Sequence, residues 1–490
     1  MQVRWRPAAG HRGCYSIPVD AESCYRAVES RDSRFAGRFY VAVKTTGVYC
    51  RPGCPARTPR RANVDFFPSA AAAQGAGFRA CLRCRPDAAP GTPAWSGTEA
   101  TISRALRLLE EMDDASTLAD RLGLGERQLR RLFARHLGAA PAAILRTRRL
   151  HLARQLIESS PLAMIDVAHG AGFRSLRRFN EAVREGFGKT PTELRKPQPP
   201  ARLPRGLTRG AQSLGLSREP SLDAAVLRLP FRPPLDFSGM LAFLAPRCIP
   251  GIESVDGGVY RRTVREGVVE IRLDGERHLA LRIPLELAGR ALPTVARAQR
   301  LFDLRADPEP IARHLARDPL LAPFLLRPGL RVPGAWEPFE MAVRAILGQQ
   351  ISVARARVLA EAIAREHGTA LQHGRLFPAA DVLARVDLRG MPGARARAVR
   401  GLAEAVASGA IKLDGAATLE KTAAGLTALP GIGPWTAQVI ALRALGEPDA
   451  FPASDLGLCK TTGLTPVELE ARSERWRPWR GYAAAAIWMG

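Results

Sequence analysis

The sequence predicts a multidomain α+β protein, and three observations carry that expectation. Its 490 residues are too many for one hydrophobic core. Composition breaks the chain into four blocks. The hydrophobic period runs from irregular to helical, then alternating, then helical again. In chain order the blocks read as a small cysteine-rich α/β unit, an all-α unit, an antiparallel α+β unit and a second α-helical unit. The first ends at Arg85-Pro86-Asp87, and Ala89-Pro90-Gly91-Thr92-Pro93 is a joint. Thr98 to Lys196 has leucines at helical spacing. Pro197 to about Ser221 is a linker by composition. Tyr260–Arg265, Val268–Leu273 and His278–Ile283 read as strands joined by Glu266-Gly267 and Asp274-Gly275 turns, an antiparallel meander. From Leu292 onward the pattern is helical, punctuated by Pro-Gly pairs at 333–334, 392–393 and 430–431.

Charge narrows the function. Lys+Arg total 72 against 47 Asp+Glu, a formal net charge of +25. Such an excess favours polyanions by releasing their condensed counterions, so nucleic acid leads the candidate partners. From Arg127 to Arg154 there are eight arginines and no acidic residue. No apolar run approaches the roughly 18 residues of a membrane span, and no secretory apolar stretch follows the N-terminal arginines, so the expected location is cytoplasmic, with no membrane partner.

Four of the eight cysteines cluster as Cys50-x3-Cys54, then 26 residues, then Cys81-x2-Cys84; Cys14, Cys24, Cys248 and Cys459 are scattered. Four close thiolates suit a tetrahedral Zn²⁺ better than disulfides, so one Zn²⁺ per chain is expected. Spacing alone does not separate a structural zinc from a reactive one. The run Thr45–Arg57, with Gly77-Phe78-Arg79-Ala80-Cys81-Leu82-Arg83-Cys84, resembles the N-terminal domain of the Ada family. That resemblance implies that Cys50 is a zinc-bound thiolate taking a methyl group from a DNA methylphosphotriester, with Cys54, Cys81 and Cys84 as the other ligands. Thr46, Arg57 and Arg79 match positions near the acceptor and the phosphate.

The second block resembles the AraC-type DNA-binding domain, with two helix-turn-helix units. Its weak internal echo is Leu118-Ala119…Gly123-Leu124 against Val167-Ala168…Gly172-Phe173. The resemblance implies recognition helices at Glu126–His136, offering Arg127, Gln128, Arg130 and Arg131, and at Ser175–Glu185, offering Arg174, Ser175, Arg177, Arg178 and Asn180. Residues near such a helix N-terminus read base edges while flanking arginines hold phosphates. The helix before the first turn, Ser116–Leu122, is short for the family, and His169 reads as a surface residue.

In the last block, Leu429-Pro430-Gly431-Ile432-Gly433-Pro434-Trp435 reads as a helix-hairpin-helix. The backbone N–H groups of its Gly431 and Gly433 turn can grip a phosphate without reading sequence. From about Leu227 the chain resembles the AlkA-type 3-methyladenine DNA glycosylases, through Pro234–Leu244, Arg344–Gln350, the hairpin with Asp455, and Arg477–Trp488. This implies that Asp455 is the catalytic carboxylate, that Phe243, Trp435 and Trp488 line the pocket for a flipped base, and that Gln350 is the wedge entering the DNA. Three departures stand out: Val439 where the family often has tyrosine, a polar residue at the wedge, and only two residues after Trp488, expected to weaken the terminal helix.

The expected organisation is 1–88 zinc and methyl acceptor, 95–197 regulator, 198–226 linker, 227–307 antiparallel α+β, and 308–490 helix-hairpin-helix glycosylase. The expected function is an alkylation sensor, activator and monofunctional glycosylase in one monomeric chain, acting on double-stranded DNA at lesions and an operator, with RNA polymerase as a further partner. The alternative is a regulator whose glycosylase half is inactive. A third reading, a zinc-stabilised DNA binder without chemistry, requires an inert Cys50. No Pro-Cys-His-Arg motif of an O6-methylguanine methyltransferase is present.

Overall fold

The computed structural model describes residues 20–32, 35, 39–54, 56–81, 84, 86, 98–112, 114–195 and 224–490. The first unit opens with α1 (Ala21–Glu29), capped by Asp20, whose Oδ1 accepts from the N–H groups of Glu22 and Ser23. A four-stranded sheet follows in the order β3-β1-β2-β4, built from β1 (Tyr40–Val43), β2 (Val48–Cys50), β3 (Val64–Phe67) and β4 (Arg79–Ala80), with α2 (Ala70–Gly75) before β4. Alternation along the strands gives the sheet two different faces. Val41, Cys50, Val64 and Phe66 pack with Cys24 and Ala27 of α1 around the cysteine cluster. Tyr40, Ala42, Tyr49 and Ala80 face the other way, into a core shared with the helical unit behind.

That unit comprises α3 (Thr98–Glu111), α4 (Leu118–Leu122), α5 (Glu126–Leu137), α6 (Pro141–Ser159), α7 (Met164–Gly170), α8 (Leu176–Phe187) and α9 (Pro191–Arg195). The helix before the first turn, α4, has five residues and ends at Gly123 in the left-handed region (φ 66°). The long α6 joins the two helix-turn-helix units and is buried on most sides, through Ile144, Leu145, Leu150, Leu152, Ala153, Leu156 and Ile157.

The five-stranded antiparallel sheet has the order β5-β9-β8-β7-β6, formed by β5 (Ala224–Pro230), β6 (Glu253–Asp256), β7 (Val259–Val264), β8 (Gly267–Leu273) and β9 (His278–Pro284), with α10 (Phe237–Leu244) after β5. One expectation is corrected here. The last three residues of the expected 198–226 linker, Ala224, Ala225 and Val226, are strand, paired with Pro284, Ile283 and Arg282. Ala224 and Ala225 are buried there, and composition does not reveal a small-residue strand edge.

Beyond the sheet lie α11 (Leu285–Ala288), α12 (Ala291–Leu301), α13 (Pro308–Leu315), α14 (Pro338–Leu347), α15 (Val353–His367), α16 (Ala380–Leu383), α17 (Gly393–Ala407), α18 (Leu419–Thr427), α19 (Pro434–Val439), α20 (Leu456–Thr462), α21 (Pro466–Ser473) and α22 (Arg480–Met489). The expected all-helical run is interrupted by a small hairpin, β10 (Thr369–Leu371) with β11 (Gly374–Leu376). Tertiary backbone contacts hold it: Arg375 N–H donates to the Gly251 carbonyl at 2.8 Å, and His373 Nε2 lies 2.8 Å from the Val264 carbonyl oxygen. The terminal helix is formed, with Trp488 inside it.

The second, helical unit is seated on the C-terminal half. Arg107 of α3 donates to the Leu445 carbonyl at 3.0 Å and pairs with Glu447 at 2.7 Å, and Arg121 pairs with Asp414 at 2.8 Å. Gly170 lies so close to the Ala288 carbonyl that a Cβ has no room. No helix among the described residues is long and apolar enough to cross a membrane.

Candidate functional site

The Sγ atoms of Cys50, Cys54, Cys81 and Cys84 all lie within 4.8 Å of one another. A tetrahedron with metal–sulfur bonds of about 2.3 Å has edges of about 3.8 Å, so the set is dimensioned for Zn²⁺. Four thiolates this close repel strongly without a cation between them. Cys50 ends β2, and the other pair enters through β4, which runs parallel to β2 with Val48 opposite Arg79. Arg79 N–H donates to the Gly47 carbonyl at 2.9 Å, so Thr46, in the β1–β2 turn, and Arg79 meet at the start of the strand that carries Cys50. Thr46, Arg57 and Arg79 are exposed; the Arg79 guanidinium reaches Gly188 at the end of α8.

The helices α5 and α8, expected from the sequence to be the recognition helices, present their polar faces outward. Arg127, Gln128, Arg130 and Arg131 on α5 are exposed, with Arg130 paired to Glu126 at 2.9 Å. Ser175 is the N-cap of α8, Arg174, Arg177 and Arg178 are exposed, and Asn180 is half-buried. Arg177 pairs with Glu181 at 3.0 Å. His169 is exposed, as expected.

In the C-terminal half the hairpin places α18 and α19 about a turn in which Gly431 is left-handed (φ 86°) and presses on Ala398. Pro434 starts α19 with its preset φ, and the next residue, Trp435, points to Asp455. Asp455 caps α20: its Oδ1 accepts from Leu458 N–H at 3.0 Å and from Trp488 Nε1–H at 3.3 Å, and its Oδ2 accepts from Trp435 Nε1–H at 2.9 Å. Two indoles thus orient one carboxylate. Phe243, Trp435, Trp488, Val439, Gln350 and Asp455 all line one cavity of about 1250 Å³. Gln350 is exposed and left-handed (φ 55°), a strained state for a side chain of its size. Its neighbour Gln349 clips that loop to the hairpin, donating to the Gly431 carbonyl and to Thr436 Oγ1, each at 2.9 Å.

Two groups of functional interest escaped the sequence reading. Behind Cys50, the fully buried Tyr49 hydroxyl accepts from Gln74 Nε2 at 3.0 Å and lies 3.3 Å from His151 Nε2, while Thr147 Oγ1 donates to Gln74 Oε1 at 2.7 Å. This polar chain ties the zinc unit to α6. Around the cavity that holds Asp455, Phe243 is flanked by cations: the Arg247 guanidinium carbon stands 3.7 Å and that of Arg443 5.1 Å from its ring centre, and Trp488 stacks at 6.3 Å. Burial pushes Arg247 down to about 10 and Arg443 to about 9. Arg443 belongs to a π-helical turn, Ile440–Ala444, directly after α19. Such a turn shifts the side-chain register within a helix, which no hydrophobic period signals.

Residues 23–87 match the family described as the metal binding domain of Ada, residues 118–197 a helix-turn-helix domain, and residues 226–337 the AlkA N-terminal domain. A Mycobacterium tuberculosis protein described as a probable bifunctional transcriptional activator/DNA repair enzyme AlkA is 43% identical over 490 residues, covering 96% of each chain. The DNA-3-methyladenine glycosylase 2 of Escherichia coli is 38% identical over 274 residues, 53% of this chain and 95% of that protein. The bifunctional transcriptional activator/DNA repair enzyme Ada of the same organism is 33% identical over 173 residues, 35% of this chain and 48% of its own length. With a four-cysteine zinc site, a helix-turn-helix unit and an AlkA-type half in one chain, this protein belongs to the family of bifunctional transcriptional activator/DNA repair enzymes.

Proposed function

We propose that the chain repairs and reports DNA alkylation by two separate chemistries. The observation that carries the excision half is Asp455, gripped by two indole N–H groups in the wall of an aromatic cavity beside the hairpin. Phosphate contacts from the Gly431–Gly433 turn hold the duplex, Gln350 enters it, and a damaged base swings into the cavity between Trp435 and Trp488. As the N-glycosidic bond breaks, its electron pair leaves with the base, and the Asp455 carboxylate stabilises the positive charge growing on the sugar. Water then adds at C1′ and loses a proton. The hairpin position that would carry a Schiff-base lysine is Trp435, so the product is an uncut abasic site.

In the zinc unit, Cys50 attacks the methyl carbon of a methylphosphotriester; the S–C bond forms and the C–O bond breaks, with the electron pair staying on the restored phosphodiester. Zinc, when bound, keeps the Cys50 sulfur a thiolate at neutral pH. Thr46, Arg57 and Arg79 hold the DNA backbone. The methylated unit then favours operator binding through α5 and α8, with RNA polymerase as the downstream partner and the chain acting as a monomer.

The test is direct. Purified protein incubated with methylated double-stranded DNA is expected to release alkylated bases and to acquire one methyl group on Cys50. Base release without protein methylation would remove the sensor half of the reading, and methylation without release would leave a regulator with an inert C-terminal half.

A further inference from the structure

The C-terminal half also reaches the zinc unit, at the loop between the first two clustered cysteines. One terminal nitrogen of Arg277 stands 3.8 Å from where a Cβ on Gly53 would be, and Gly53 lies between Cys50 and Cys54 in the chain. The loop is tight there: Gly53 is left-handed (φ 78°), and Cys54 N–H donates to the Arg51 carbonyl at 3.3 Å.

Arg277 is presented by its own half. It ends the turn between β8 and β9, where Gly275 is left-handed (φ 74°) and Asp274 N–H donates to the His278 carbonyl at 2.8 Å. The Arg277 carbonyl accepts from Phe231 N–H at 3.0 Å. The backbone is thus pinned, and the half-buried side chain extends from it to the loop that carries Cys50.

Arg51, directly after Cys50, meets it there. Burial lowers the Arg277 guanidinium below its ordinary value, and the charge of Arg51 lowers it further, against a weaker pull from Glu276. Asp274, the acid that starts the turn, is already taken by Arg228 at 2.9 Å. Neither the Arg51 nor the Arg277 guanidinium makes a hydrogen bond or an ion pair among the described residues, to a carboxylate or to a cysteine sulfur, and Arg51 Nε is buried without a partner.

Two like charges brought together from separate units cost free energy until an anion joins them. The N–H fork of a guanidinium matches a phosphate. A methylphosphotriester is uncharged, so cations gain little from it directly; the ionised phosphates on either side of it are what they attract. We infer that Arg277 and Arg51 form a phosphate-binding pair across the two halves, taking an ionised phosphodiester beside the methylated one, an inference that rests on the methyl-transfer reading above. The half that carries Asp455 thereby supplies a DNA contact to the methyl acceptor.

The experiment uses the full zinc-loaded chain and a duplex carrying methylphosphotriesters, and follows methyl arrival on Cys50 against DNA concentration across a salt series. Arg277→Gln removes the charge, Arg277→Glu reverses it and Arg277→Lys keeps it. At about 0.1 M salt, half-maximal transfer is expected to need about 3- to 10-fold more DNA for the Gln variant, more still for Glu, and nearly the wild-type amount for Lys. The salt slope of the Gln variant should fall by about one. Methyl iodide, a small uncharged donor whose methyl carbon bonds to the same sulfur as iodide leaves, reads the thiolate without DNA. Loss of zinc, or an equal loss of methylation by methyl iodide, would put Arg277 in support of the metal cluster and overturn the inference. Gln and Glu variants with wild-type dependence on DNA and salt overturn it as well, with the methyl-transfer reading left intact. Wild-type protein methylated by methyl iodide but never by DNA overturns both.

Discussion

The two groups proposed to react, Cys50 and Asp455, are held in place by opposite means. Cys50 sits in a small unit whose four clustered cysteines converge from two short strands and their loops and form part of that unit's core. Asp455 sits in a large helical body, positioned by a helix cap and two indole N–H groups. The first arrangement is all-or-none, because losing one ligand loses the site. The second is graded, because each contact on Asp455 can be removed singly.

The sharpest way to break this contrast is to remove a ligand. Cys54→Ser or Cys81→Ser is expected to release zinc and unfold the first unit, since metal binding in such units is worth roughly 10 kcal/mol of folding free energy. Base release should persist; metal analysis, limited proteolysis and an excision assay read the outcome, and retained zinc would sink the all-or-none view. Next, Asp455→Asn should lower base release about 10³-fold, about 4 kcal/mol, while DNA affinity stays nearly constant. Unchanged release would show that the carboxylate is not the reacting group.

Methylation of Cys50 tests whether the zinc site also acts at a distance. A four-thiolate Zn²⁺ site has a formal charge of −2, and methylation makes it −1 beside a negative DNA backbone. At an effective dielectric of roughly 20 to 80, one charge at about 4 Å is worth about 1–4 kcal/mol. Operator affinity should rise accordingly and the gain should shrink with salt; equal affinities across a salt series would reduce the site to repair or scaffold. A smaller effect probes the graded site: Trp435→Phe keeps a ring but deletes the 2.9 Å donor to Asp455, and release should fall about 10-fold. A loss as complete as that of Asp455→Asn would mean that the indole is not separable from the carboxylate.

The smallest expected effect concerns pH. Burial, with Arg154 adding to it, pushes His151 down to about 3. A base with a depressed folded value is neutral in the native state, so its contribution is complete above the ordinary value of 6.5 and is lost as pH falls toward 3. Docking of the zinc unit on α6 should therefore loosen on mild acidification, and His151→Gln should flatten the dependence. Hydrogen exchange of α2 and α6 between pH 7 and pH 5 measures it; identical protection at both values would remove His151 from the docking contact.

Much of this was legible in the sequence. Ligand spacing announces a zinc site because coordination geometry fixes it, and the meander shows through its Glu-Gly and Asp-Gly turns because those turns need particular residues. The hairpin was visible for the same reason, whereas Asp455 was singled out through the resemblance to the glycosylases. What stayed hidden depends on register and docking. The seating of Arg443 in its π-helical turn and of the β10–β11 hairpin involves partners about a hundred residues away, Pro333 and Val264, while the guanidinium of Arg247 over Phe243 depends on the exact register at the end of α10. Tyr49 was hidden in plain sight. A tyrosine next to a ligand cysteine reads as part of the zinc unit, whereas strand alternation turns it toward α6.

That alternation has a consequence for how the chain can be taken apart. One face of the first sheet, the α6–α8 helices and the five-stranded sheet share a continuous apolar core, reinforced by Arg107–Glu447, Arg121–Asp414 and the Gly170–Ala288 approach. Covalent continuity is then not what keeps the halves together. Two separately expressed pieces, 1–195 and 224–490, should find each other in solution and migrate as one particle. The fusion would thus be a convenience of synthesis, laid over an assembly that the surfaces already specify.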